Sequence, residues 1–534
     1  MREDDYSEAF WAIAEHPMIL AAQHDMRLEH RNPKHLPDSL APNDPLYAQQ
    51  WHLDNPLIPD ADINAPGAWS IATGGISATG DTIVAAVIDG GIAATHPDLH
   101  DNLWRNWADY PGDGIDNDNN GYVDDHRGWN VFLQNDQIAG GVQGHGTGVC
   151  GLLGALGDNE MGISGVNWRV KIMFVAGSGT LSAVLQSFDY VYQARKRYND
   201  TGGAAGAFVT TLNCSWGVNF GQPANAPLWC AAYDSLGAIG ILSVGAAPNL
   251  PIDVDIHGDL TTACPGDYLV SVTNLDRYNQ RAPNAGWGRK HIDIGAYGHE
   301  ALTTVAPDAY GLASGTSFAA PLVAGAIALL YAVPCPDLAL TALKNPAAAA
   351  LRTRQALLET ARPVSALDGI TATGGALDLH LLLLRVQSEC GACIPPVWTS
   401  ATVSGADGLI VSWINADPEA QTFARIRLAG DTAWTETPLG ASPFVFDGLI
   451  PCATYELSFR NQCAASLSSP WSAPIVATNA GCCTTPHALT IMETGEHHAL
   501  VKWTGPGAAE HYNLRYRPRA KTGSTPKALR PNGC

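Results

Sequence analysis

From about residue 47 to residue 388, short apolar runs alternate with helical segments rich in small residues. Nothing else in the chain restricts its fold as much. Residues 82–89, 170–175, 208–215 and 239–244 read as buried strands, being short, apolar and set off by Gly, Asn, Asp or Ser. Residues 181–197 and 317–333 read as helices. Strand and helix alternating at this spacing predict an α/β domain: a parallel sheet with helices on both faces. In such sheets, functional groups gather at the carboxyl ends of the strands. After Cys390 the long helical patterns stop and short alternating runs begin, as at 409–413 and 454–459. Trp413 on an early strand and Tyr455 on a late one predict an all-β sandwich over 390–480. Residues 499–503 and 512–516 repeat that opening, so 482–534 reads as a partial second sandwich.

Composition agrees and removes some classes of function. A chain of 534 residues is too long for one ordinary domain. Its 46% apolar content allows a large core, while 54 Gly and 35 Pro suit a loop-rich molecule. A net charge of −21 repels phosphate backbones, which argues against nucleic-acid binding, and attracts cations. No run reaches the roughly 18 apolar residues of a membrane span, and the stretch 322–333 is too short. Residues 1–30 lack the basic start and apolar middle of a signal peptide. Seven of the 12 cysteines (Cys390, Cys393, Cys452, Cys463, Cys482, Cys483 and Cys534) cluster at the edges of the predicted β modules. That suits disulfides in an oxidising compartment. Cys390-x-x-Cys393 also has zinc-ligand spacing, but no partner pair follows at finger distance.

Three motifs carry chemistry. Ser317 follows Gly315-Thr316 and opens the apolar helix, where free N–H groups and the helix dipole favour developing negative charge. His145 lies in Gly144-His145-Gly146-Thr147, small residues on either side leaving the imidazole accessible. Asp89 ends the strand 83–88, where a buried acid is costly without a partner. A nucleophile, a base and an orienter for that base are the parts of a serine hydrolase. The string Ser314–Gly325, the His-Gly-Thr motif and Asp89 with His96-Pro97-Asp98-Leu99 resemble the motifs of subtilisin-like serine proteases (subtilases, peptidase family S8). The order Asp, His, Ser along the chain is that family's order. Gly90 departs from the pattern, where Ser or Thr is commoner.

The resemblance implies an endopeptidase acting on polypeptides through Asp89, His145 and Ser317, with an acyl-enzyme intermediate. It implies Asn249 as the side-chain donor to the oxyanion, although Pro248 stands where Gly is usual. It also implies that Ser215-Trp216-Gly217 pairs with extended substrate, giving broad specificity. Trp216 reads equally well as a subsite wall or as core. Residues 42–388 would form the peptidase domain and 1–41 the tail of an inhibitory propeptide. The chain is then expected to be secreted or displayed at the cell surface, monomeric, and truncated at its N-terminus. The sandwich resembles fibronectin type III, with an immunoglobulin-like sandwich the near alternative.

Asp116, Asp118, Asn120, Tyr122, Asp124 and Asp125 surround Gly121 in the pattern of an EF-hand-like loop, which makes Ca²⁺ the expected structural ion. Position twelve is Arg127 rather than Glu, so the closing bidentate ligand is missing. Asp98 and Gly157-Asp158-Asn159 resemble a further calcium site of the family. Two other readings remain open: a binding protein on a retired protease fold, and an intracellular peptide-maturing protease.

Overall fold

The computed structural model describes residues 40–504, apart from 140–142, 391, 392, 394, 397, 416–419, 465, 466, 473, 481–486 and 495–498. The propeptide expectation for 1–41 and the predicted strand at 512–516 fall almost wholly or wholly outside these residues.

Strand β1 (Ile83–Asp89) is buried along its whole length. Its side chains divide by parity, as a pleated strand requires. Ile83, Ala85 and Val87 enter one hydrophobic core, and Val84, Ala86 and Ile88 enter another on the opposite face. The strand is therefore central, with helices packed on both sides.

The other strands of this sheet are β2 (Trp129–Asn130), β3 (Lys171–Ala176), β4 (Phe208–Cys214), β5 (Leu242–Ala246), β6 (Leu269–Asn274), β7 (Ile294–Ala296), β8 (Arg362–Pro363) and β9 (Gly375–Ala376). Nine strands run in the order β8-β9-β7-β6-β5-β4-β1-β3-β2. Every pair is parallel except the short edge pair β8–β9.

The helices that matter for the site are α1 (Gln143–Gly154), α2 (Leu181–Thr201), α3 (Pro227–Ala238) and α4 (Thr316–Leu330). Val149, Leu152 and Leu153 of α1 share the first core with Leu322, Val323 and Ile327 of α4. Ala183, Val184, Phe188 and Val191 of α2 share the second core with Trp229 and Tyr233 of α3. Thr180 caps α2 by accepting from the Ala183 N–H. One strand is displaced from its predicted place: residues 239–244 were expected, and β5 begins at Leu242. Ile239 still closes α3, and Gly240, at φ 99°, makes the turn between them.

Beyond the sheet, β10 (Trp398–Val403), β11 (Leu409–Ile414) and β14 (Phe444–Phe446) form one antiparallel sheet. Strands β12 (Gln421–Leu428), β13 (Thr435–Pro438), β15 (Thr454–Ala464) and β16 (Ile475–Thr478) belong to a second. Leu409, Val411, Trp413, Ala424, Ile426, Leu457 and Phe459 fill the core between them. The Tyr455 hydroxyl accepts from the Ile450 N–H at 2.8 Å, the tyrosine-corner arrangement of such sandwiches. Strands β17 (His487–Thr494) and β18 (Ala499–Thr504) form a further antiparallel hairpin.

Cys390 bonds Cys335, and Cys393 bonds Cys463. Both cysteines of the zinc-like spacing are thus in disulfides with different partners, which removes the zinc alternative. Cys230–Cys264 is a third bridge, and Cys150 and Cys214 are buried free thiols. Among the described residues, no helix is long and apolar enough to cross a membrane.

Candidate functional site

Parity carries Asp89 to the face of the sheet that holds α1 and α4, since it continues the series Ile83, Ala85, Val87. Its Oδ1 accepts from the Gly90 N–H at 2.7 Å. Its Oδ2 accepts from His145 Nδ1 at 2.8 Å. Asp89 is 4% exposed, while the imidazole is half-buried. Burial pushes the His145 pKa down, but the hydrogen bond and charge of Asp89 outweigh it, and the net shift is upward. This contact depends on Gly146. A Cβ there would lie 2.4 Å from the Gly91 carbonyl oxygen and 3.1 Å from Asp89 Cβ, so α1 can approach the strand end only with glycine at that position.

Ser317 is the second residue of α4 and is 8% exposed. Its neighbour Phe318 has its ring centre 5.5 Å from that of His145. The Ser317 hydroxyl donates to the Ser215 carbonyl at 3.1 Å and makes no hydrogen bond to His145 in this geometry. Catalytic hydrogen bonds are often loose before substrate arrives.

Asn249 follows β5, and its Oδ1 accepts from the Thr316 N–H at 3.0 Å and from Thr316 Oγ1 at 3.2 Å. With Oδ1 so engaged, the amide is oriented with Nδ2 as its free donor. Pro248 does not displace Asn249 from this position: its ring packs where a Cβ at Gly286 would be, and its carbonyl accepts from the Gly286 N–H.

Ser215, Trp216 and Gly217 follow β4 at the same end of the sheet. The Trp216 Nε1 donates to the Ile88 carbonyl at 2.6 Å, and its ring lies 5.5 Å from Trp229 and 6.2 Å from Phe188. Between subsite wall and core, the indole is mainly core.

The acidic loop divides. Asp116 Oδ1 and Asp118 Oδ1 both accept from the Asn120 N–H, at 2.9 and 3.1 Å, so two carboxylates converge beside Asn120. The Tyr122 N–H donates to Asn120 Oδ1. Asp124 instead caps the N–H groups of Gly112, Asp113 and Gly114. Asp125 accepts from Asn106, Asn120 and Tyr190, and burial pushes its pKa up to about 7. Of the predicted set, Asp116 and Asp118 bring their carboxylates to one side of the loop, where Asp118 also accepts from Asn106 Nδ2 at 3.2 Å and lies 3.7 Å from Arg197 Nη1, while Asp124 and Asp125 are committed elsewhere. Among the described residues, no group of three or more His, Cys, Asp or Glu stands in metal-holding geometry.

Asp98 is fully buried and accepts from Asn159 Nδ2 and the Ile163 N–H, at 3.1 and 2.9 Å. Asp44 joins it, accepting from the N–H groups of Asp158 and Asn159 and from the Ser164 hydroxyl. Asp44 escaped the sequence reading because Asn43-Asp44-Pro45 looks like an ordinary turn. So did Asn213, an amide inside an apolar strand, whose Nδ2 donates to Ser215 Oγ at 2.9 Å.

The chain is similar to known proteins over part of its length. Subtilisin-like protease 1 of Plasmodium berghei (strain Anka) is 27% identical over 319 residues, 55% of this chain and 48% of that protein. The chain thus spans about half the length of that relative. Thermitase of Thermoactinomyces vulgaris is 27% identical over 296 residues, 54% of this chain and 85% of that protein. A solved structure described as proteases from Pseudoalteromonas arctica PAMC 21717 aligns with a TM-score of 0.47 at 22% identity, covering 65% of this chain and 99% of that one. Residues 80–380, more than half of the chain and including Asp89, His145 and Ser317, match the profile of the Subtilase family (Peptidase S8), and the chain belongs to that family.

Proposed function

We propose that this protein is a serine-type endopeptidase with Asp89, His145 and Ser317 as its catalytic triad. The observation that carries the reading is the 2.8 Å Asp89–His145 hydrogen bond beside a serine at a helix N-terminus. His145 takes the proton of Ser317 Oγ as that oxygen attacks a peptide carbonyl. Asp89 holds the imidazole in the required tautomer and stabilises its cation. The Ser317 N–H and Asn249 Nδ2 receive the developing oxyanion; loss of one such donor costs about 10²–10³ in turnover in subtilisin, the family's type case. The leaving amine takes the proton from His145, and water then hydrolyses the acyl-enzyme.

Ser215-Trp216-Gly217 would pair with the main chain of an extended substrate, and main-chain pairing tolerates many sequences. The protein is further proposed to be secreted, a reading supported by the disulfides Cys230–Cys264, Cys335–Cys390 and Cys393–Cys463 among the described residues. Residues 42–388 are proposed as the peptidase domain, with residues 1–41 as propeptide sequence. Residues 390–480 are proposed as a fibronectin type III-like module and 482–534 as part of a second; the Tyr455 corner and the two facing sheets favour this. Asp116, Asp118, Asn120 and the Tyr122 carbonyl would hold a calcium ion. Its charge would neutralise the loop's carboxylates and stabilise the fold.

Covalent labelling by a fluorophosphonate tests the central claim. Wild-type protein should label and digest a peptide library, and Ser317→Ala should do neither while keeping its circular dichroism spectrum. Folded wild-type protein that stays unlabelled would instead be a binding protein on a retired protease fold.

A further inference from the structure

Pro321 lies inside α4, four residues after Ser317. Proline has no N–H, so the Ser317 carbonyl lacks the partner that position 321 would give it in an ordinary helix, and the proline ring crowds it as well. The carbonyl of the nucleophile is therefore orphaned by the sequence itself. In the fold it accepts from Ser215 Oγ at 2.8 Å.

The Ser215 hydroxyl has a single proton. It also accepts from Asn213 Nδ2 at 2.9 Å, which leaves that proton for Ser317. Asn213 is fully buried in β4, registered against Val87 of β1 and Val244 of β5, so its backbone is anchored in the middle of the sheet, and the bond to Ser215 is its amide's one hydrogen bond, Oδ1 being buried without a partner. Ser317 Oγ returns a hydrogen bond to the Ser215 carbonyl at 3.1 Å. Residues 215 and 317 thus exchange two hydrogen bonds, and one of them is steadied from β4.

We propose that Asn213 and Ser215 are positioning residues that replace the helix hydrogen bond removed by Pro321 and so fix the backbone of the nucleophile. The inference rests on the serine-peptidase reading. Small misplacements of a reacting group cost rate rather than binding.

The test is kcat and KM on one peptide substrate. Ser215→Ala should lower kcat about tenfold, as loss of one hydrogen bond implies, with KM changed by less than about twofold. Ser215→Thr, which keeps the hydroxyl, should recover most of the loss. Asn213→Ala should also lower kcat, and Asn213→Ala with Ser215→Ala should be no slower than Ser215→Ala alone, because the amide acts through the hydroxyl. In a Pro321→Ala background, position 321 regains an N–H for the Ser317 carbonyl, so Ser215→Ala should cost less than in wild type. If Asn213→Ala does not fold, the Ser215 and Pro321 variants carry the same comparison.

Additive losses in the Asn213/Ser215 double variant, an undiminished Ser215→Ala effect beside Pro321→Ala, or a loss carried by KM would overturn the relay. Wild-type protein that cleaves peptides, with Ser215→Ala at full kcat, overturns this inference alone. Wild-type protein that neither labels nor cleaves overturns the peptidase reading and the relay with it.

Discussion

His145 is subject to two opposed forces, and their balance sets a measurable quantity. Burial favours the neutral ring, the Asp89 carboxylate favours the cation, and the carboxylate prevails. A general base must be neutral to accept a proton. The acid limb of kcat/KM should therefore lie above the ordinary imidazole value of 6.5. Asp89→Asn leaves burial unopposed, so the limb should move below 6.5, with turnover reduced by about 10⁴ as in the corresponding change to a chymotrypsin-type triad. A limb that does not move would mean that Asp89 does not govern the base. Asp89, His145 and Ser317 were legible as motifs because small neighbours mark places where side chains must approach closely. Asn213 was not, because its role exists only through Ser215 and Ser317.

The elements that deliver these residues are held by close approach. Helix α1 lies against the strand Ala301–Val305, and a Cβ on Gly151 would sit 2.3 Å from Thr304 Oγ1 and 2.6 Å from Thr303 Oγ1. Those hydroxyls donate to the carbonyls of Thr147 and Gly148, one turn after His145. Gly151→Ala should therefore push the helix outward, costing about 1–3 kcal/mol and lowering kcat through displaced His145. Thermal melting and kinetics measure both effects, and a variant with wild-type melting and turnover would show that the helix has slack. Helix α4 shows the reverse case. Its interior proline looks like a defect in the sequence, yet the carbonyl it orphans is taken up by a serine 102 residues away.

At the scale of the whole molecule, two polar loops and the disulfides hold the long connections. Asp98 and Asp44 are satisfied by donors of the loop 158–164, whereas Asp116 and Asp118 converge beside Asn120 with Arg197 3.7 Å from Asp118, and this second loop is the one proposed to hold calcium. Removing calcium with a chelator should lower the melting temperature, and adding calcium back should restore it. An unchanged melting curve would discard the ion. Cys335–Cys390 staples the end of the sheet domain, and Cys393–Cys463 staples the start of the sandwich. Reading the Cys390-x-x-Cys393 spacing alone left zinc open, since spacing does not reveal which distant thiol stands nearby.

The sequence by itself determined the layers and the chemistry. Continuous apolar strands alternating with apolar helices specify a sheet covered on both faces, and three short motifs name a carboxylate, an imidazole and a hydroxyl. Tertiary structure alone decided which oxygen meets which donor. Asp124 and Asp125 carry the same carboxylate as Asp116 and Asp118, yet they face backbone N–H groups and Asn106, Asn120 and Tyr190. A side chain's partners are set by the packing of segments far apart in the chain, and local pattern contains no record of that geometry.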